Sequence, residues 1–323
     1  MPLTDLPAEA LRGYRAEHTP PADFDSFWSA TLAEAEELGR APVFTPVETP
    51  LRTIDAFDAV FSGYAGDPVR AWLLLPRERG GPLPCVVEYP GYGGGRGVPL
   101  DSLVYASAGY AHLVMDVRGQ GGGWRTGHTP DPSASGETHH PGFMTQGVLD
   151  PERYYYRRLM TDAVRAVSAA AAHPGVDADR IAVMGASQGG GLALAVGGLR
   201  GDLAAVITDV PFLTHFRRGA ELAAEGPYLE ISRYCRVHRD QVDRVFSTLR
   251  YFDTLSFAPR AAAPAEFSAA AMDAVCPPST VYAAYHAYAG PKDIRLWEFN
   301  GHEGGETHQH LRRLAFLQRV LGG

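Results

Sequence analysis

The chain has 323 residues and a formal net charge of −8 at pH 7. Hydrophobic residues make up 45% and charged residues 20% of the sequence, values that are typical of a globular protein and exclude a disordered or fibrous one. No run of basic residues offsets the acidic balance, so phosphate backbones and anionic lipid surfaces would repel the chain. We therefore expect no nucleic-acid partner and no membrane partner.

Cysteine content and the N-terminal sequence bear on the cellular compartment. The three cysteines, Cys85, Cys235 and Cys276, are odd in number and widely spaced, which suits neither a disulfide framework nor a metal knuckle. The first twenty residues carry several charged side chains and lack an apolar core, so they are not expected to act as a secretory signal. Reduced thiols and a cytoplasmic location are the expectation.

Strand and helix patterns alternate along most of the chain, which predicts a mostly parallel central sheet covered by helices on both faces. The predicted strands, which are short and mostly apolar, lie at residues 53–64, 69–75, 85–89, 111–117, 180–185, 204–209, 265–271 and 294–299. The predicted helices, which are amphipathic or alanine-rich, lie at residues 23–38, 150–172, 189–199, 278–288 and after Glu306.

We interpret residues 1–323 as one domain, since no repeat or low-complexity linker divides them. Residues from 1 to about 40 form a helical appendage that holds the sheet. From about 212 to 255 a helical pattern interrupts the strand-helix alternation, and such an insertion usually forms a cap over a site. A loop is predicted at residues 130–141, which are rich in Pro, Ser, Gly and His, with His139 and His140 at the surface or at the rim of the site.

The strongest local motif is Gly-Ala-Ser-Gln-Gly at residues 185–189. It follows the apolar segment 181–184 and precedes a segment suited to a helix, and small residues around Ser187 permit a strained strand-to-helix turn that exposes the hydroxyl. The alternative is a chance pentapeptide in a chain with 36 glycines. Chance would rarely supply both flanking elements, so Ser187 is the predicted nucleophile.

A serine hydroxyl becomes a good nucleophile when an imidazole takes its proton and a carboxylate orients that imidazole. In the α/β-hydrolase fold both partners follow the serine in the chain, the carboxylate before the histidine. His302 lies in the loop after the strand predicted at 294–299 and is the predicted base. A solvated surface histidine is the alternative, which suits His308 and His310 in the following helix better.

Asp273 is the predicted carboxylate, because it lies at the end of the strand predicted at 265–271 and between Ser187 and His302 in the chain. From the residues alone, an ordinary turn or capping aspartate is an equally good interpretation. Asp253 and Asp293 compete with it by position.

A tetrahedral intermediate carries a negative oxygen that needs preorganised donors. One expected donor is the backbone N–H of Gln188, directly after the nucleophile. The other is the backbone N–H of Tyr92, in a glycine-rich segment at 89–95 that follows a predicted strand. A flexible glycine turn is the alternative for this segment, whereas a phosphate-binding loop would need a Lys-Ser/Thr pair that is absent here.

Together these features resemble the acetyl xylan esterase and cephalosporin C deacetylase family, the seventh family of carbohydrate esterases, over nearly the whole chain. The resemblance is carried by Arg-Gly-Gln-Gly at 118–121, Gly-Ala-Ser-Gln-Gly-Gly at 185–190, Asp-Val-Pro-Phe at 209–212, Met272-Asp273 leading into Cys-Pro-Pro-Ser-Thr at 276–280, and His302-Glu303.

The resemblance implies an α/β-hydrolase fold with Ser187 as nucleophile, His302 as base and Asp273 as its partner. The oxyanion donors would be the N–H groups of Tyr92 and Gln188. It further implies an acyl-enzyme esterase, without metal or organic cofactor, that removes acetyl groups from short xylo-oligosaccharides and small compounds such as cephalosporin C. A cytoplasmic homo-oligomer, typically a hexameric ring with a narrow entrance, is implied as well.

Two further implications concern particular residues. Arg118 and Gln120 would hold loops near the site. The chain departs from the family pattern at Pro90, where some members have histidine, and at Glu266, which lies within an alanine-rich predicted strand. Because a fold and a triad do not fix the acyl group, a peptidase or a lactonase remains an alternative, as does a binding protein that has lost turnover.

Overall fold

The computed structural model describes residues 3, 5–132 and 141–322, so the predicted positions of His139 and His140 lie outside the described residues. Within this part of the chain, nine strands form one sheet. The strands are β1 Val43–Val47, β2 Ile54–Ser62, β3 Pro68–Pro76, β4 Leu83–Tyr89, β5 Ala111–Met115, β6 Val176–Ala186, β7 Ala205–Asp209, β8 Ala265–Ala270 and β9 Lys292–Trp297.

Eleven α-helices accompany the sheet in the described residues, and none of them is both long and apolar enough to span a bilayer. The helices are α1 Ala8–Gly13, α2 Phe24–Glu37, α3 Val104–Ser107, α4 Tyr155–Ala171, α5 Gln188–Leu199, α6 Phe216–Leu222, α7 Tyr228–Val237, α8 Val242–Leu249, α9 Thr254–Phe257, α10 Pro278–Ala287 and α11 Glu306–Leu321.

The sheet has the order β1-β2-β3-β5-β4-β6-β7-β8-β9. The strands β1, β2, β3 and β5 pair antiparallel at one end, and every pairing from β5 to β9 is parallel. Parallel strands need crossover connections, and helices supply them on both faces. This architecture confirms the predicted α/β-hydrolase fold class.

Successive side chains of the central strands point to opposite faces of the sheet, and both faces are apolar. On one face Val87 and Val183 pack with the residues of α4 and α5. On the other face Met184 and Ile207 pack with Phe316 of α11. Burial on both faces explains why these strands read as continuous apolar runs rather than as alternating patterns.

The N-terminal helix α2 packs against the segment between β7 and β8. The ring centroid of Phe24 lies 5.1 Å from that of Phe257, and Trp28 lies 5.7 Å from Phe252. All four side chains are buried. These aromatic residues of α2 therefore belong to the core.

The structure differs from the sequence prediction at β1 and at the start of α4. The edge strand β1 is not predicted, because Pro46 cannot donate to a ladder and its neighbours are largely exposed. The helix predicted from residue 150 begins at Tyr155 instead. Asp150 accepts a hydrogen bond from the Glu152 N–H in a turn, and Tyr154 still has an extended ψ of 138°.

Candidate active site

Ser187 lies in the turn between β6 and α5, with φ 56° and ψ −121°. A Cβ atom at position 185 would come within 2.2 Å of the Gly189 backbone, and one at position 189 within 1.8 Å of the Tyr89 carbonyl oxygen. Only glycine fits at these two positions. The strained turn that the sequence predicts is therefore present, and the serine side chain is partly exposed at the end of the sheet.

Ser187, His302 and Asp273 form a hydrogen-bonded relay. The Nε2 atom of His302 lies 2.9 Å from Ser187 Oγ, and its Nδ1 atom lies 2.9 Å from Asp273 Oδ2. The Asp273 side chain is fully buried, whereas 31% of the His302 side chain is exposed. Because Nδ1 faces a carboxylate, it carries the proton and leaves Nε2 free to accept one from the serine.

The carboxylate of Asp273 is held by the loop that follows β8. Its Oδ1 atom accepts hydrogen bonds of 2.8 Å from the backbone N–H groups of Val275 and Cys276. These bonds fix the carboxylate without using Oδ2, the oxygen that faces His302. The structure thus brings together the three residues that the sequence selects from distant parts of the chain.

The two competing aspartates have other contacts. Asp253 caps the start of α9 and accepts hydrogen bonds from the backbone N–H groups of His215, Phe216 and Leu255. Asp293 is exposed at the end of the sheet, 3.4 Å from a guanidinium nitrogen of Arg312. Their environments are those of a structural cap and of a solvated surface charge.

The segment after β4 lies beside the nucleophile. Tyr89 pairs with Gly185 across the parallel strands, and a Cβ atom at position 91 would lie 3.9 Å from Ser187 Cβ. Among the described residues, neither the Tyr92 N–H nor the Gln188 N–H has a hydrogen-bond acceptor. Free N–H groups on both sides of the serine suit the stabilisation of an oxyanion.

The side chains of Gln120 and Gln188 link the two donor loops. The Gln120 amide nitrogen donates to Gln188 Oε1 at 2.9 Å, and Gln120 Oε1 accepts a 2.7 Å hydrogen bond from the Gly93 N–H. Gln188 Oε1 also accepts from the Tyr156 hydroxyl at 2.9 Å. Both glutamines are fully buried, so this network fixes the backbone that carries the candidate donors.

The relay opens into a cavity of about 430 Å³. Most of its wall is apolar, and the polar groups converge on the serine, as is usual in small-molecule sites. The lining residues are Glu88, Tyr89, Pro90, Gly91, Tyr92, Trp124, Ala186, Ser187, Pro227, Val275 and His302.

The helical insertion contributes to one wall of this cavity. Pro227 lines it directly before α7, and Glu230 of α7 accepts a 2.6 Å hydrogen bond from the Tyr92 hydroxyl. The other oxygen of Glu230 accepts from the Met144 N–H at 3.1 Å. Burial raises the pKa of Glu230 above its usual value, although the hydrogen bond from Tyr92 opposes this.

Cys276 lies beneath the relay and is fully buried. Burial, with the nearby Asp273 charge, raises the pKa of its thiol well above the usual value. Asp273, Cys276 and His302 are the one group of three metal-ligating side chains found among the described residues. Both oxygens of Asp273 and both nitrogens of His302 already have hydrogen-bond partners, and a neutral thiol is a poor metal ligand, so this group fits proton transfer.

The sequence motifs do not point to two of the wall residues, Trp124 and Glu88. Trp124 follows the glycines of the 118–121 motif, and a lone tryptophan in a glycine-rich loop after a strand is a signal that could have found it. Glu88 lies within a buried strand, where a carboxylate needs a special reason. A glutamate within an otherwise apolar strand segment is therefore a signal that could have found Glu88 from the sequence.

A family profile described as "Acetyl xylan esterase (AXE1)" matches residues 1–320. The chain belongs to the acetyl xylan esterase family. This membership confirms the resemblance inferred from the sequence motifs and the prediction of a carboxylic ester hydrolase.

Known relatives match nearly the whole chain. The acetyl esterase Axe7A of Xylanibacter ruminicola is 28% identical over 309 residues, which cover 93% of this chain and 67% of that protein. The acetyl xylan esterase structure from Paenibacillus sp. R4 is 40% identical, with a TM-score of 0.91 over 98% of this chain and 100% of that one. Acetyl xylan esterase 1 from Thermoanaerobacterium sp. JW/SL YS485 is 31% identical, with a TM-score of 0.88 over 98% of this chain and 99% of that one.

Proposed function

We propose that this protein hydrolyses acetyl esters of short xylo-oligosaccharides and of related small compounds such as cephalosporin C, through an acyl-enzyme on Ser187. The observation that carries the proposal is the relay of two 2.9 Å contacts from Ser187 through His302 to Asp273. Membership of the acetyl xylan esterase family supports acetyl as the acyl group.

In the first half of the reaction, Ser187 Oγ attacks the acetyl carbonyl carbon while His302 Nε2 takes the hydroxyl proton. The N–H groups of Tyr92 and Gln188 stabilise the oxyanion of the tetrahedral intermediate. Asp273 stabilises the imidazolium that forms. When the intermediate collapses, the C–O bond to the sugar breaks and His302 gives its proton to the leaving alkoxide.

In the second half, a water molecule attacks the acetyl-serine carbonyl while His302 Nε2 takes a proton from it. A second tetrahedral intermediate forms on the same oxyanion donors. Its collapse breaks the bond to Ser187 Oγ, which recovers its proton from His302, and acetate leaves. Exposure of 31% of the His302 side chain is consistent with access for this water.

We propose further that the whole chain acts as one domain, with the helices α6 to α9 as a cap and the N-terminal helices as an appendage. Pro227 and Glu230 support the cap, since both contact the cavity or its walls. A cytoplasmic homo-oligomer is also proposed, from the motif resemblance. The three free cysteines are compatible with a reducing compartment.

The test is acetate release from acetylated xylo-oligosaccharides and from cephalosporin C by wild type and Ser187→Ala. We expect the substitution to lower turnover by roughly 10⁵–10⁶-fold and to leave the fold intact. Ser107→Ala, which alters an exposed serine at the end of α3, is the matched control. Faster cleavage of peptides or lactones would contradict the deacetylase, and sugar binding without acetate release would indicate a binding protein.

A further inference from the structure

We propose that Trp124 and Glu88 form the subsite for the pyranose ring that carries the acetyl group, with the indole as a stacking surface and the carboxylate as a hydrogen-bond acceptor. The inference rests on the proposed function and deepens it. Both residues line the cavity that contains Ser187 and His302, so a group bound to them lies within reach of the relay.

The indole of Trp124 is held rigidly against the glycine-rich loop. A Cβ atom at position 94 would lie 2.4 Å from the ring, and one at position 91 would lie 3.6 Å from it. The loop that carries Trp124 is joined to the same segment by a 2.9 Å hydrogen bond from the Gly123 N–H to the Gly93 carbonyl. The inner ring face thus lies on glycines that leave room for it.

The polar atom of the indole is already satisfied, while its surface remains open. Its Nε1 atom donates to the Tyr92 carbonyl oxygen at 2.9 Å, yet 62% of the residue is exposed. A rigid tryptophan offers a large apolar surface at little cost in conformational entropy. The exposed ring is therefore preorganised to receive a flat apolar partner.

A pyranose ring is such a partner. Its axial C–H groups form an apolar face, and their partial positive charge is attracted to the negative face of an aromatic ring. Its edge carries hydroxyl groups that lose water when the ring stacks, so they need acceptors in the site. A stacking surface with an acceptor at its side meets both needs.

Glu88 is placed to supply that acceptor. Its Oε2 atom lies 2.9 Å from His112 Nε2, and 23% of its side chain is exposed. Burial would raise the pKa of this carboxyl, but His112 and the nearby arginines hold it below the usual value, so the group is ionised at neutral pH. A carboxylate accepts hydrogen bonds from sugar hydroxyls.

The experiment compares kcat/KM for acetylated xylobiose with kcat/KM for ethyl acetate, whose leaving group has no ring. We expect Trp124→Ala to lower kcat/KM for acetylated xylobiose about tenfold more than kcat/KM for ethyl acetate. Glu88→Gln should lower kcat/KM for acetylated xylobiose several-fold more than that for ethyl acetate. Trp124→Phe keeps a ring and loses the hydrogen bond to Tyr92, so it should lower both rates by similar factors. Equal losses on both substrates in Trp124→Ala would overturn the subsite.

Leu311→Ala is the matched control, because Leu311 is 61% exposed and does not line the cavity. Binding of acetylated xylobiose to Ser187→Ala, measured by calorimetry with and without Trp124→Ala, separates the two proposals. Binding that depends on Trp124 in a protein whose wild type releases no acetate would support the subsite and reject the deacetylase. Acetate release by wild type, together with an unchanged ratio of the two kcat/KM values in Trp124→Ala, would support the deacetylase and reject the subsite.

Discussion

Asp273 and Asp162 are both almost completely buried, yet their partners differ in kind. Asp162 receives two hydrogen bonds from the Arg118 guanidinium, at 2.5 and 2.8 Å, and one from the Tyr64 N–H. Asp273 receives two from backbone N–H groups and faces the imidazole of His302. One carboxylate thus faces a permanent charge, and the other faces a ring that gains and loses a proton.

The difference separates a structural ion pair from the one that we propose to be catalytic. Burial alone would lower the pKa of Arg118, but the carboxylates around it raise that pKa, so its charge never changes in water. A partner with a fixed charge can only hold loops together, which is the role that the sequence motif implies for Arg118. An imidazole at the surface can carry a proton to and from a substrate.

Among the aspartate and histidine variants compared with one another, Asp273→Asn has the largest expected effect. The amide can no longer stabilise an imidazolium or hold the proton on His302 Nδ1, so kcat for acetyl esters should fall about 10⁴-fold. The free energy of unfolding should change little in comparison. Steady-state kinetics and urea unfolding measure the two quantities. Nearly unchanged activity would show that Asp273 is misassigned and would direct the search to Asp253 and Asp293.

Asp162→Asn should show the opposite pattern. It leaves the buried Arg118 with less compensating charge, although Asp131 still contacts it at 3.2 Å, so the free energy of unfolding should fall by about 3 kcal/mol. Activity per folded molecule should remain within a few-fold of wild type. A loss of activity without a loss of stability would contradict the division between the two aspartates.

Asp5 has a backbone N–H and a guanidinium as partners of one carboxylate. Its buried carboxylate accepts from the Ser279 N–H at the start of α10, at 2.7 Å, and pairs with Arg218 at 2.9 Å. Since Pro277 offers no cap there, Asp5→Ala should destabilise the protein by about 1–2 kcal/mol. Asp5→Asn keeps an acceptor and should cost less. An Asn variant as unstable as Ala would show that the ion pair, not the cap, is what matters.

The smallest effect concerns His173, an imidazole that has no carboxylate partner among the described residues. Burial, with help from Arg79, lowers the pKa of His173, whose Nδ1 accepts a 3.0 Å hydrogen bond from the Gly175 N–H. In the unfolded chain the imidazole of His173 binds a proton more readily than in the folded protein. The neutral ring therefore contributes its full stability above the unfolded pKa of about 6.5, and this contribution is lost as the pH falls through the folded pKa.

The measurement is Tm for wild type and His173→Asn at about pH 7.5 and 5.5, on either side of the unfolded pKa. On acidification the Tm of wild type should fall further than the Tm of the variant. Acetate release at neutral pH should be the same in both. An equal pH dependence of Tm in the two proteins would show that His173 does not contribute to it.

Local patterns were sufficient to predict the nucleophile turn and most strands. Ser187 was predictable because the turn needs small residues at fixed short distances, and because its flanking strand and helix are strongly apolar. Asp273 could not be separated from Asp253 by local sequence. What distinguishes them is contact with His302 in one case and with the α6 backbone in the other, and such distant contacts leave no local pattern.

Other features depend on packing that one sequence does not reveal. Glu266 departs from the alanine-rich pattern of β8, and the structure buries it against Arg312 of α11 at 2.6 Å. The ring of Trp124 packs against glycines that lie about thirty residues earlier in the chain. Charged and aromatic residues in unusual positions can be noticed in a sequence, whereas their partners require the fold.

The proposed reaction requires that Ser187 becomes acylated. Diethyl 4-nitrophenyl phosphate tests it directly, because Ser187 Oγ would attack the phosphorus, displace 4-nitrophenolate and keep a stable diethyl phosphoryl group. Peptide mapping of the inactivated protein should find one such group, on Ser187, in proportion to the acetate release that is lost. Complete inactivation with the group on another residue, or full labelling of Ser187 with acetate release intact, would show that Ser187 is not the acylated group.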